Sequence, residues 1–172
     1  MAGKLVQVNT NTVTSAVATV DLTGISTSDI HMVTVNNATF ASDKVMYIRL
    51  LESGSPNTSS NYDRAGVGLR ESTAFYNNSG TNANVGYFSP SRLEAGTGAC
   101  GVLYIYNASG SSGYTIVTNE TVDFRESSQG LNLEGFQGAN ILTVNSAVDG
   151  IQFTMESSAN ITGGTFTLYK VV

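Results

Sequence analysis

Apolar and polar residues along this chain alternate with a period of two, and helical periodicity is nearly absent. In Val45-Met46-Tyr47-Ile48-Arg49-Leu50-Leu51-Glu52, residues Met46, Ile48 and Leu50 fall on one side and Tyr47 and Arg49 on the other. Ile30-His31-Met32-Val33-Thr34-Val35 precedes it, and Tyr114-Thr115-Ile116-Val117-Thr118 has a similar character. Near the end, Ile151, Phe153 and Met155 alternate with Gln152, Thr154 and Glu156, the pattern of a half-buried strand. Val102-Leu103-Tyr104-Ile105-Tyr106 is apolar on both faces, which predicts a central strand packed from two sides. Gly, Ser and Asn clusters separate these runs. Short β-branched and aromatic segments with such punctuation predict an all-β sandwich or barrel.

The punctuation also predicts connections. Asp149-Gly150 is a turn signal. Thr162-Gly163-Gly164 is expected to turn the chain into a last strand, Thr165 to Val172. Ser109 to Gly113 reads as an exposed loop, and residues 53–63 and 77–84 read as long polar loops. Ser91-Arg92-Leu93-Glu94, after Pro90, has capping-box spacing and predicts one helical turn. No period of 20–50 residues repeats and no break in composition divides the chain. The expectation is one domain, with residues 1–16 as an arm or edge strand and residues 17–172 as the sandwich.

Composition narrows the function classes. The chain has 172 residues, and Ser, Thr and Asn supply 56 of them. Charged residues are 12%, about half the usual share, with a net charge of −5. An acidic chain with few Lys and Arg does not suit nucleic acid, because phosphate contacts need clustered cations. No apolar run approaches the length of a membrane-spanning helix. The single cysteine, Cys100, excludes a disulfide framework and reads as a buried thiol. The first residues lack a charged segment followed by an apolar one, so synthesis in a cytosol is expected. Six Asn-x-Ser/Thr sequons, at Asn37, Asn57, Asn77, Asn107, Asn119 and Asn160, follow from the abundance of their residues.

The search for chemistry is largely negative. Gly96-Thr97-Gly98-Ala99-Cys100-Gly101 has dinucleotide-binding spacing, but a strand pattern follows where a helix N-terminus is needed. It reads as a glycine-rich turn. His31 is the only histidine and lies in an apolar alternating segment, so neither a catalytic triad nor a zinc centre is expected. Glu120, Asp123 and Glu126 could support carboxylate chemistry on a sugar. The alternation of Asp123 and Arg125 with Val122 and Phe124 reads instead as the charged face of an edge strand. No calcium loop of regular spacing occurs, and no metal or cofactor is assigned. Eight tyrosines suit either a sugar-contacting surface or a protein interface.

The stretch from Ile151 to Tyr169, Ile151-Gln152-Phe153 through Ser157-Ser158-Ala159-Asn160-Ile161-Thr162-Gly163-Gly164-Thr165-Phe166-Thr167-Leu168-Tyr169, resembles the closing hairpin of a family of structural proteins of tailed bacteriophages. That family ends in an I-x-F … S-G-x-I-x-x-G-T-x-x-L-Y-G-I pattern. Asp21 to Ile25, Val45 to Glu52 with Ser60 to Asp63, and Gly101 to Asn107 are similar as well, in order and spacing over most of the chain. Lys170 departs from the pattern, which prefers Gly there. The resemblance implies a jelly-roll sandwich in a virion, with no catalytic residues to carry over. It implies a surface capsid decoration or cement protein, made in the host cytoplasm and bound to other virion proteins such as the major capsid protein or tail components. A fibre would add a shaft or repeat, which is absent from this sequence. A homo-oligomer, a trimer for preference, is expected, with Tyr62, Tyr76 and Tyr87 among its contacts. The alternative is a tail-fibre receptor-binding or carbohydrate-binding module that meets a host glycan.

Overall fold

The computed structural model describes residues 3–71, 73–127 and 130–172, without the side chains of residues 73, 74, 126, 127 and 130. Among the described residues, thirteen strands form two antiparallel sheets. They are β1 (Leu5–Val13), β2 (Thr19–Thr23), β3 (His31–Phe40), β4 (Lys44–Glu52), β5 (Ser55–Pro56), β6 (Tyr62–Arg70), β7 (Thr73–Ala83), β8 (Gly86–Leu93), β9 (Ala99–Tyr106), β10 (Thr115–Ser127), β11 (Gly130–Leu142), β12 (Gly150–Met155) and β13 (Ile161–Val171). The large sheet has the order β1-β13-β3-β9-β10-β11-β6-β7. In the small sheet β2-β12-β4 is bordered by β8, with the two-residue β5 at the end of β4.

The chain passes from sheet to sheet with β1, β2, β3 and β4, and again with β8, β9, β12 and β13. This gives β1-β13-β3-β9 stacked on β2-β12-β4-β8, the pairing order of a jelly roll. The remaining long strands, β6, β7, β10 and β11, extend the large sheet beyond β9 as a wing. The core lies between the layers. Val20, Leu22, Met46, Ile48, Leu50, Phe88, Ile151 and Phe153 from the small sheet meet Val33, Val35, Leu103, Ile105, Phe166 and Leu168 from the large one. Phe153 lies 5.1 Å from Phe166 and 6.2 Å from Phe88, ring centre to ring centre. Residues 5–13 form the edge strand β1, paired with β13 from Leu5↔Val171 to Val13↔Gly164.

Several local expectations are corrected. Residues 77–83 are part of β7, because pairing with β6 supplies the backbone bonds that their polar composition does not advertise. Ser91 to Leu93 belong to β8, not to a helical turn. Pro90 is tolerated inside β8 where the register with β4 shifts, since Pro lacks the N–H that a regular ladder requires. Thr162 to Gly164 do not reverse the chain. They form irregular positions within β13, where Gly164 has φ +116° and packs against the Ala38 backbone. β9 is central in its sheet but is packed on one face only: Leu103 and Ile105 are buried while Tyr104 is exposed. Gly96, at φ +78°, does make a turn before a strand.

Candidate interaction face

The wing begins as a continuation of the sandwich. On β10 the inward series starts with Val117 and becomes polar: Asn119, Thr121, Asp123 and Arg125. On β11 the inward residues run from Leu142 through Asn140 and Phe136 to Glu134. The reason lies in what they cover. β8 is hydrogen-bonded to β4 on one side, and the wing curls over its other side. Asn119 Nδ2 donates to the Phe88 carbonyl at 2.7 Å, and Asn140 both accepts from Tyr87 N–H at 2.8 Å and donates to Tyr87 C=O at 3.1 Å. Side chains thus occupy backbone groups that an exposed edge would offer to another chain.

Farther along, the inner layer is ionic. Asp123 and Glu134 are direct cross-strand partners and are 1% and 0% exposed. Glu134 accepts from Arg70 Nε at 2.8 Å and from the hydroxyls of Tyr76 and Ser91, with Arg125 Nε at 3.8 Å. Tyr76 also stacks under the Arg70 guanidinium, 4.2 Å from ring centre. It fits because Gly68 lies opposite: a Cβ there would fall 1.8 Å from the ring. Desolvation, then the bond to Glu134, pushes the Tyr76 phenol up to about 12. Burial pushes Asp123 up to about 7; the Ser89 hydroxyl offsets part of this and the Glu134 charge adds to it. Both Asp123 oxygens are buried without a well-formed hydrogen bond.

Of the three carboxylates considered for sugar chemistry, Glu120 and Asp123 point to opposite faces of β10. Glu120 is exposed and accepts from Gln137 Nε2 at 2.8 Å, and the Glu126 side chain lies outside the described residues. The charged face of β10 is therefore the buried face, and β10 is interior to the sheet, which corrects the reading of an exposed charged edge. Among the described residues, no three His, Cys, Asp or Glu side chains gather to hold a metal ion. His31 is buried, with Nδ1 2.8 Å from the Asp29 carbonyl; desolvation is the main cause of its lowered pKa. Cys100 is partly exposed, with its sulfur 3.3 Å from Asn37 N–H.

The outer face of the wing has the opposite character. Val122 (45% exposed), Phe124, Leu131 (53%) and Leu133 project to solvent from β10 and β11, and Leu69 joins them from β6. Register places Leu69, Gly135 and Val122 side by side, with Phe124 opposite Leu133. Beyond the Glu120–Gln137 pair, the same face continues to Tyr104, Val102 and Thr118, which line a groove of about 590 Å³. A sheet with one wet face ordinarily shows polar residues there. Here the wing buries ions and exposes aliphatic and aromatic side chains.

The three tyrosines named from the sequence occupy different settings. Tyr62 is in the core, where its hydroxyl accepts from Leu50 N–H at 2.9 Å and donates to the Asn57 carbonyl at 3.3 Å. Burial pushes its phenol up to about 12. Tyr76 is half-buried in the ionic layer, and Tyr87 lies on the outer side of β8, stacked on Arg64 and 5.7 Å from Tyr47. Their hydroxyls do not converge on the apolar face. Val122, Phe124, Leu131, Leu133 and Leu69 were not singled out by sequence reasoning, although their alternation with Asp123, Arg125 and Glu134 is visible in it. Set beside known proteins, the chain matches no family, no curated protein sequence and no solved structure.

Proposed function

We propose that this protein is a non-catalytic structural subunit that attaches to other protein subunits through the outer face of its wing. The observation that carries this reading is the reversed polarity of β10 and β11, ionic inside and apolar outside. Contiguous exposed apolar residues on a soluble domain mark interaction surfaces, and aromatic and aliphatic side chains at the centre of a contact supply most of its energy. The sequence resemblance supplies the setting: a decoration protein on the capsid of a tailed bacteriophage, with the major capsid protein as partner and a homo-oligomer as the attached form.

The experiment is co-sedimentation of the purified protein with assembled, undecorated capsids of that phage. The wild-type protein is expected to pellet with the particles. The double variant F124E/L133E should bind at least about tenfold less, while its melting temperature stays within a few degrees because both side chains already face water. Equal co-sedimentation of wild type and variant overturns the role of this face. Failure of the wild-type protein to bind capsids overturns the decoration reading.

A further inference from the structure

A second concavity lies on the outer side of the small sheet, where the β7–β8 connection crosses from one sheet to the other. Its volume is about 290 Å³, and its wall includes Tyr47, Arg49, Arg64, Thr154, Ser157 and Ser158. Tyr47 and Thr154 are cross-strand partners, and Arg49 lies two residues along the same face of β4. Arg64 arrives from β6 of the other sheet. Its guanidinium carbon is 3.8 Å from the Tyr87 ring centre, and Nη1 donates to the Val85 carbonyl at 2.9 Å. Arg49 Nε donates to the Asn84 carbonyl at 3.4 Å.

The two guanidinium groups are underused. Each carries about five N–H donors, and neither is in an ion pair among the described residues. Arg64 Nε is buried with no hydrogen-bond partner. The chain has 13 acidic residues against 8 basic ones, yet this wall includes two arginines and no carboxylate. Glu156 acts on the Tyr47 hydroxyl from nearby but is not part of the wall. Ser157 and Ser158 on the rim both hold positive φ, 55° and 57°, a conformation that non-glycine residues keep only where the surroundings impose it.

We propose that this corner binds an acidic saccharide. Its carboxylate sits between Arg49 and Arg64, where guanidinium forks match a planar oxyanion. Its ring lies against Tyr47, and its hydroxyls meet Thr154, Ser157 and Ser158. The volume is near the lower end for small-molecule sites, which suits a single sugar residue. The apolar part of the wall is limited to Val85, Met155 and the tyrosine ring, which leaves little to hold an aliphatic side chain of a peptide. This site lies on the outer side of the small sheet, with Arg64 reaching it from β6, and does not rest on the reading of the attachment face.

The test is calorimetric titration at constant ionic strength with three probes: sodium glucuronate, glucose and sodium sulfate. Glucuronate is expected to bind with a Kd of about a millimolar, and glucose and sulfate at least about tenfold more weakly. Arg49→Gln should weaken glucuronate binding roughly tenfold with unchanged thermal unfolding and unchanged capsid co-sedimentation. Arg49 is the discriminating position because its tie to the Asn84 carbonyl is the longer, 3.4 Å, whereas Arg64 both donates to Val85 at 2.9 Å and stacks on Tyr87. Glucuronate binding no tighter than that of glucose, or insensitive to Arg49→Gln, overturns the site. Sulfate binding as tight as glucuronate overturns the saccharide assignment.

Discussion

Asp123 and Glu134 face each other across β10 and β11 with no solvent to share their charge. Glu134 pairs with Arg70, accepts from the hydroxyls of Tyr76 and Ser91, and has Arg125 nearby. Asp123 is in no ion pair among the described residues and has only the Ser89 hydroxyl to favour its charge, so burial decides, and its pKa rises from 3.8 to about 7. In an unfolded chain the carboxyl ionises near 3.8; in the folded protein it keeps its proton to about 7. The unfolded state therefore holds fewer protons between these values. Stability from the protonated acid is full below the lower value and is lost as pH rises through the higher one. The difference reaches ~4 kcal/mol. His31 has the opposite sign: its lowered pKa adds stability above its unfolded value, which is lost on acidification. Asp123→Asn keeps the shape and removes the charge. Thermal unfolding at about pH 5 and about pH 8 should show the wild type losing roughly 5–10 °C across that interval and the variant losing much less. The same pH slope in both proteins would contradict the assignment.

At the scale of elements, legibility depends on whether a strand's neighbours agree with its own pattern. β4 has one face on the core, and its alternation in Val45–Glu52 reads directly as structure. β12 is corrected from half-buried to buried throughout: Ile151 and Phe153 face the core, but Gln152 and Thr154 are also buried, because β12 lies between β2 and β4. β7 does not read this way: its Asn, Ser and Gly residues resemble a loop, and its identity as a strand comes from the ladder with β6. Ser91 to Glu94 have the spacing of a helix start, but pairing with β4 and burial of Phe88 and Leu93 prevail over a local hydroxyl–carboxylate signal. β13 carries the largest responsibility, because it pairs with β1 on one side and β3 on the other and contributes Phe166 and Leu168 to the core. Deleting residues 165–172 should leave both neighbours unpaired. The truncated protein is expected to lose its cooperative thermal transition, as read by near-ultraviolet circular dichroism. A sharp transition within a few degrees of the wild-type value would show that β13 is dispensable.

The whole molecule closes on itself over long sequence distances. Leu5 pairs with Val171, and β2 pairs with β12, so the sandwich is incomplete until the last strands have joined the first. Chains dominated by such pairings refold slowly, because loop closure precedes the contacts that reward it. Stopped-flow refolding should therefore show a main phase in the range of about milliseconds to seconds or slower, not microseconds. A microsecond phase carrying the full amplitude would refute this. The wing adds a second consequence of long-range assembly. Residues on β10 and β11 cover the edge of β8, and this contact decides which side of the hairpin is wet.

The amino-acid sequence by itself determined the class of fold. Period-two alternation with β-branched and aromatic residues has one inexpensive solution, strands stacked in layers, and few charges with many hydroxyl and amide groups suit the loops and wet faces of such a sandwich. Alternation alone says only that the two sides of a strand differ. On β10 and β11 an ionic row and an apolar row each have a side, and only the tertiary structure decided that the ionic row faces inward. It does so because the edge of β8, with backbone groups and serines in need of partners, arrives there from a distant part of the chain. The same holds for Arg49 and Arg64. They belong to different sheets, and only the crossing between β7 and β8 brings their positive charges to one corner.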